Sequence, residues 1–288
     1  MTDYFRALRP RQWIKNLFIF AALFFSKKVF QFELTILYLI SFGLFCLLSS
    51  SIYIINDIAD RERDKLHPVK KNRPIAAGRI SITQALHLFA FLAIGPLACA
   101  WFINYKFFCI SLLYFILNIL YSFFLKRLVI VDIFCIALGF VLRVMAGSVI
   151  GDIDISNWII ICTFMLSLFL GFTKRRHELI LLNDQANCHR PILLEYSTYF
   201  LDQMIGVVTA STVVFYTLYT VADTTVENFH TDKLLYTVFF VVYGIFRYLY
   251  LVYKKELGGN PTIALLTDGP LIVNVLLWIV SVGIIIYF

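Results

Sequence analysis

The sequence predicts an all-α, polytopic membrane protein of nine transmembrane helices with its polar chemistry on the cytoplasmic face. Three observations predict it. Of its 288 residues 60% are apolar and only 15% charged, against roughly 45–50% and about 25% in soluble domains, so the chain carries more apolar surface than a soluble core of this size could hide. Its apolar windows recur at lengths near the roughly 17 to 25 residues that a helix needs to cross a hydrocarbon layer. Its Lys and Arg residues gather on alternate loops, as the positive-inside rule asks of a multi-pass inner (plasma) membrane protein.

In chain order, the windows lie near 34–56, 83–103, 106–125, 128–150, 157–173, 204–222, 234–252 and 270–288, and a shorter one from Leu17 to Phe30 precedes them. By length the short window fits an interfacial or re-entrant segment as well as a span. Charge decides for a span: with nine crossings and a cytoplasmic N-terminus, 19 of the 25 Lys and Arg are cytoplasmic, while Lys27, Lys28, Lys106 and Lys233 lie opposite and Arg143 and Arg247 lie within helices. The start, MTDYFRALRPRQWIKN, is too polar and basic for a signal peptide, so the N-terminus is expected to be retained. The net charge of +7 is thus a topology signal, and no basic groove with interleaved aromatics calls for a nucleic-acid partner. Cys46, Cys99, Cys109, Cys135, Cys162 and Cys188 show neither metal-ligand nor disulfide-framework spacing.

After the window ending near residue 56 the sequence runs Asn56-Asp57-Ile58-Ala59-Asp60-Arg61-Glu62-Arg63-Asp64 without Gly or Pro, which predicts a helix continuing past the membrane boundary. Asn56, Asp60 and Asp64, at i, i+4 and i+8, fall on one face, with Asp57 about a third of the way round but adjacent to Asp60 and Asp64. Like carboxylates so placed repel unless a cation lies between them, and few hard oxygen donors with room for water or phosphate describe Mg²⁺. The alternative is a solvated helix end whose acids pair with Arg61, Arg63 and Lys65. The loop His67-Pro68-Val69-Lys70-Lys71-Asn72-Arg73-Pro74-Ile75-Ala76-Ala77-Gly78-Arg79 then places cations, Arg73 among them, where they can take phosphate oxygens or serve only topology.

Further polar groups share that face. Tyr121 leads into Lys126 and Arg127, and Asp132 enters the next apolar helix, whose interior holds Arg143 about three turns on. An arginine inside a span costs roughly 2.5–3.5 kcal/mol on insertion scales, so Arg143 should face a cavity or an acid. Lys174-Arg175-Arg176-His177-Glu178 ends the sixth span, and Arg9, Arg11, Trp13 and Lys15 precede the first, where they suit an interfacial anchor as well as a ligand site.

Asn56-x3-Asp60-x3-Asp64 after the second span resembles the metal-binding helix end of the UbiA superfamily of intramembrane prenyltransferases. The resemblance runs along most of the chain and implies a nine-helix UbiA-like bundle, one domain over 1–288. It implies Mg²⁺ as cofactor, held by Asn56, Asp57, Asp60 and Asp64, with Asp60 and Asp64 catalytic. Most members that use prenyl diphosphates carry a second acidic motif after the sixth span, where this sequence has Lys174-Arg175-Arg176-His177-Glu178. One acidic and one basic cluster suit a magnesium-bound diphosphate and a second phosphate held by cations. With RPRQWIKN at 9–16 and NPTIALLTDGP at 260–270, the pattern is similar to the branch whose members transfer 5-phosphoribose from phosphoribosyl pyrophosphate (PRPP) to a polyprenyl phosphate of decaprenyl type for cell-envelope arabinose precursors. On that resemblance Lys15, Arg73, Tyr121, Lys126, Arg127, Asp132, Arg143, Lys174 and Arg175 are expected to bind substrate, in a lipid bilayer, and a homo-oligomer is compatible with it. Prenyl transfer from a diphosphate to an aromatic or lipid acceptor is the same-fold alternative. A secondary transporter is disfavoured because the acids sit at the membrane edge and not at its midplane.

Overall fold

The computed structural model describes residues 2–66, 70–181, 191–255 and 261–288. His67, Pro68, Val69, Cys188 and Asn260, which entered the reading above, lie outside them, as does Arg190, counted there among the cytoplasmic cations. The described residues are helical, without strands, and eight helices are long and apolar enough to cross a membrane. The chain divides into two compact units, the first reaching Ile155 and including the turn Pro191–Glu195, the second holding the remaining helices from Ser156.

In the first unit α1 (Thr2–Leu8) leads into a 3-10 run, Pro10–Ile19, and a short α2 (Phe20–Phe25). Then come α3 (Phe32–Ala59), α4 (Arg61–Leu66), α5 (Ile82–Ile103), α6 (Tyr105–Phe123) and α7 (Val131–Ile150). Local sequence fixes several starts. Ser81 and Gln84 close a reciprocal capping box on α5, and the Asn104 side chain accepts from the Lys106 and Phe107 amides at the start of α6. Inside α3 the hydroxyls of Ser49, Ser50 and Ser51 return to helix carbonyls of Cys46 and Leu48, which satisfies them where no water reaches.

The expected short window, Leu17–Phe30, has a different form: the ordered segment starts at Pro10 and spends ten residues in 3-10 geometry before six in α. A 3-10 rise of about 2.0 Å per residue gives that run a contour of about 20 Å, and α2 adds about 9 Å. The segment runs antiparallel to α3. Arg9 bonds Asp57, Trp13 Nε1 donates to Ser50 (3.0 Å), Asn16 Nδ2 donates to Ser49 (3.1 Å), and the Phe20 ring packs on Phe42 and Tyr38. These contacts follow α3 from residue 57 to residue 38, about 28 Å of helix axis. On its other side the segment meets α7 so closely that the Ile19 carbonyl oxygen would lie 2.0 Å from a Cβ placed on Gly147.

The second unit contains α8 (Asn157–Leu181), α9 (Thr198–Val221), α10 (Asp223–Phe229), α11 (Val238–Lys254), α12 (Pro261–Thr267) and α13 (Gly269–Tyr287). Its polar groups also bond internally: Tyr216 Oη meets Thr237 Oγ1 (2.7 Å) and accepts from Trp278 Nε1 (2.8 Å), tying α9 to α13. Arg247 forks onto Asp268 at 3.0 and 2.8 Å, and Asp268 in turn caps α13 through the Leu271 amide. The Arg247 side chain and the α13 cap hold the Asp268 carboxyl below its usual range. Large apolar side chains such as Phe91, Phe102 and Phe239 remain exposed on helices, the surface a lipid solvent calls for.

Candidate functional site

The acidic segment at the end of α3 is the densest charged cluster of the first unit. α3 stops at Ala59, Asp60 takes a non-helical conformation, and α4 resumes at Arg61, so the expected uninterrupted helix is broken once. The break divides the four polar side chains into two pairs. Lys126 Nζ donates to Asp60 Oδ1 at 2.7 Å and to Asn56 Oδ1 at 3.4 Å. Arg73 Nη1 donates to Asp64 Oδ2 at 2.5 Å and to Asp57 Oδ1 at 2.9 Å. A third cation, Arg9, pairs with Asp57 and lies 5.0 Å from the Tyr53 ring centroid. Three carboxylates thus meet three cations drawn from the N-terminus, the loop after α4 and the turn after α6.

Such pairing is not that of a solvated helix end. Asp57 and Asp64 are each 3% exposed and Lys126 7%, and the nearby surface cations bond elsewhere, Lys65 to Glu62 at 2.8 Å and Arg61 to Glu62 at 3.4 Å. Burial lifts the Asp64 carboxyl above its usual range, with Arg73 opposing and Asp57 adding to the shift. Three carboxylates and an amide oxygen are the donor chemistry of a hard divalent cation. Among the described residues no three acidic, His or Cys side chains meet around one point; the Arg73 guanidinium and Lys126 ammonium bridge the oxygens instead.

The turn that presents Lys126 is the 3-10 stretch Leu125–Arg127, with Arg127 exposed and Tyr121 half-buried a turn earlier in α6. The turn ends at Ile130, held at φ 68°, ψ −45°, where the Val131 amide donates to the Val129 carbonyl at 2.7 Å. A β-branched residue avoids that region, so packing must hold the strain. It starts α7 with Asp132 buried in the first turn. Pro191–Glu195 packs against Leu125–Arg127, with Ile192 and Leu193 buried.

Arg143 is buried in α7 with a different set of partners from the acid or cavity the sequence suggests. Nε donates to Asn16 Oδ1 (2.8 Å), Nη1 to the Gly139 carbonyl (2.7 Å) and Nη2 to Tyr114 Oη (2.7 Å), and the guanidinium lies 4.7 Å from the Tyr114 ring centroid. Lys15 precedes Asn16 and lies within electrostatic reach of Arg9 and Arg143.

In the second unit Arg175, 1% exposed, donates to Glu178 Oε2 at 2.7 Å, and Lys174 lies 3.8 Å from Glu178. Arg176 donates to Asp202 at 2.5 Å and lies 4.1 Å from the Tyr253 ring centroid, and Tyr253 Oη donates to the same carboxylate at 2.7 Å. Sequence reasoning missed Asp202 and Tyr253, and it left Arg9 between an anchor and a ligand site, outside the residues expected to bind substrate. No spacing rule links residues 176, 202 and 253, so only tertiary structure could find them.

Residues 16–263 match the UbiA prenyltransferase family. The chain is 32% identical over 292 aligned residues to a decaprenyl-phosphate phosphoribosyltransferase of Mycolicibacterium smegmatis, covering 98% of this chain and 92% of that protein. It is 30% identical to a protein of the same name from Corynebacterium glutamicum, covering 98% and 86%. Its fold is that of a UbiA homologue from Archaeoglobus fulgidus solved bound to GPP and Mg²⁺, with a TM-score of 0.74, 22% identity and 99% of each chain covered.

Proposed function

The chain belongs to the UbiA prenyltransferase family, and within it we propose that this protein transfers 5-phosphoribose from PRPP to a polyprenyl phosphate of decaprenyl type, releasing pyrophosphate. The observation that carries the proposal is the near full-length likeness to two phosphoribosyltransferases that act on decaprenyl phosphate. The basic run at the end of α8 supports it, because Lys174, Arg175 and Arg176 stand where prenyl-diphosphate users carry a second acidic motif, and cations favour a second phosphate. The product serves cell-envelope arabinose precursors.

The protein lies in the inner membrane with nine crossings and its N-terminus and acidic cluster in the cytoplasm. The reach of Pro10–Phe25 along α3 supports the first crossing, and the gathering of Lys and Arg on alternate loops supports the orientation. Residues 1–288 act as one UbiA-like domain.

Asn56, Asp60 and Asp64 supply hard oxygen donors for Mg²⁺, which when bound neutralises charge on the departing diphosphate. The residues of this chain do the rest. Arg73 exchanges its Asp64 contact, and Lys126 its Asp60 and Asn56 contacts, for phosphate oxygens, with Arg127 beside them. Lys174 and Arg175 take phosphate oxygens, and Lys15, near two other cations, favours an anion. Tyr121 and Asp132 flank Lys126, and Arg143 contributes by orienting Asn16 and Tyr114. At the reacting centre one C1–O bond breaks as pyrophosphate leaves with the electron pair, and another forms from an acceptor phosphate oxygen. That oxygen is already anionic at pH 7, so transfer needs no positioned base, unlike an alcohol acceptor. Direct displacement inverts the anomeric carbon to a β-linked product, while the surrounding helices keep water from the oxocarbenium-like centre.

The test is pyrophosphate release by purified protein, which should require PRPP, polyprenyl phosphate and Mg²⁺ together. Release from PRPP without the lipid, or an α-linked product, would contradict direct transfer. Lys174→Ala should raise the KM of one substrate by about tenfold, the scale of one lost charge-assisted contact. Unchanged KM and kcat would leave Lys174 a topology anchor.

A further inference from the structure

Asp57 differs from the other acids of the cluster. It bonds two guanidinium groups, Arg9 and Arg73, and is 3% exposed, so its charge demand is met twice over within the protein. Asp60 and Asp64 are each hydrogen-bonded by one cation, with Lys70 adding to the field at Asp64. Arg73 is shared: the Nη1 that bonds Asp57 also bonds Asp64. Arg9 sits at φ 53°, ψ 59°, a left-handed conformation unfavourable for a residue with a Cβ, at the joint between α1 and the 3-10 run. Its ends are fixed on both sides, since Ser50 Oγ donates to the Leu8 carbonyl and Trp13 bonds Ser50. A strained joint that aims a guanidinium at a buried carboxylate is built for placement.

We infer that Arg9 and Asp57 form a positioning bracket for Arg73: Arg9 fixes the Asp57 carboxylate, and Asp57 fixes the guanidinium that takes the diphosphate of PRPP. Asp57 is then a positioning residue and not a metal ligand, which leaves the metal donors as Asn56, Asp60 and Asp64. The inference rests on the phosphoribosyl-transfer reading and gives Arg9, outside the expected ligand set, a part in substrate affinity. Two arms of one bracket act as a unit, so removing either should cost as much as removing both.

The experiment measures PRPP affinity by calorimetry in the presence of Mg²⁺, and Mn²⁺ affinity by electron paramagnetic resonance, on detergent-purified protein. Arg9→Gln and Asp57→Asn should each weaken PRPP binding about tenfold, and the double variant should likewise lose about tenfold in total rather than about a hundredfold. Mn²⁺ affinity should stay within about twofold in all three, whereas Asp60→Asn should lose it. Arg9→Lys, which keeps the charge, should recover most of the PRPP affinity and control for misfolding. A hundredfold double-variant loss, Mn²⁺ loss in Asp57→Asn, or unchanged PRPP affinity in Arg9→Gln would overturn the bracket. Wild-type protein that binds Mn²⁺ but no PRPP would instead overturn the phosphoribosyl-transfer reading.

Discussion

Alanine in place of Asp60 or Asp64 is expected to lower turnover by about 100-fold or more, the usual cost of removing one preorganised electrostatic contact from a site where charge develops. The expectation follows from where these carboxylates stand. Asp60 Oδ1 lies 2.7 Å from Lys126 Nζ and Asp64 Oδ2 lies 2.5 Å from Arg73 Nη1, so each couples an oxygen proposed to hold metal to a cation proposed to receive phosphate. Removing Asp60 also strands the buried Lys126 ammonium, and a broken buried pair costs about 3–5 kcal/mol of stability. The conservative Asp60→Asn variant therefore accompanies the alanine, with gel filtration and a melting curve to establish folding. Full turnover in a folded Asp60→Ala protein would remove the metal assignment.

The second large effect is structural. Gly147→Ala places a Cβ 2.0 Å from the Ile19 carbonyl oxygen and 2.9 Å from its carbon, and these are backbone atoms that cannot swing aside. Overpacking costs about 1–3 kcal/mol and more where backbone must move. The carbonyl of Gly147 itself accepts from Tyr38 Oη at 2.6 Å, so displacing α7 also strains its contact with α3. Gly43→Ala and Gly95→Ala are the controls, for an added Cβ there meets nothing within 4 Å and gains up to about 1 kcal/mol of helix propensity. The melting temperature of Gly147→Ala should fall by several degrees while the controls hold or rise. Equal values for all three would show that the N-terminal segment does not pack on α7.

Most of the bundle was legible in the sequence because a bilayer demands long apolar runs and little else. The window 83–103 is α5, Ile82–Ile103, and 106–125 is α6, Tyr105–Phe123. Ends were misjudged where helices leave the apolar layer. The window ending at 173 belongs to a helix reaching Leu181, since Lys, Arg and Glu are good helix formers and only the hydropathy stops at Thr173. The window starting at 204 belongs to a helix that begins at Thr198 behind a Ser197 cap. Pro10–Ile19 was hidden for a different reason: hydropathy scores Trp13 and Asn16 as polar, without sight of the serines and arginine that satisfy them. In the acidic cluster, spacing placed Asn56, Asp57, Asp60 and Asp64 together but on one unbroken helix. The interruption at Asp60 carries no Gly or Pro, and it pairs Asn56 with Asp60 and Asp57 with Asp64 through cations 9 to 70 residues away.

A ribosyl group, and not a prenyl group, is what we propose this protein moves. Purified protein in detergent would receive PRPP labelled in the ribose ring together with polyprenyl phosphate and Mg²⁺, and, in a parallel reaction, labelled prenyl diphosphate with an aromatic acceptor. Ribose label entering the lipid phase as polyprenyl-phosphoryl-ribose 5-phosphate, with one pyrophosphate released per ribose and no label moved in the parallel reaction, is the predicted result. Label appearing only in a prenylated aromatic product would contradict the account.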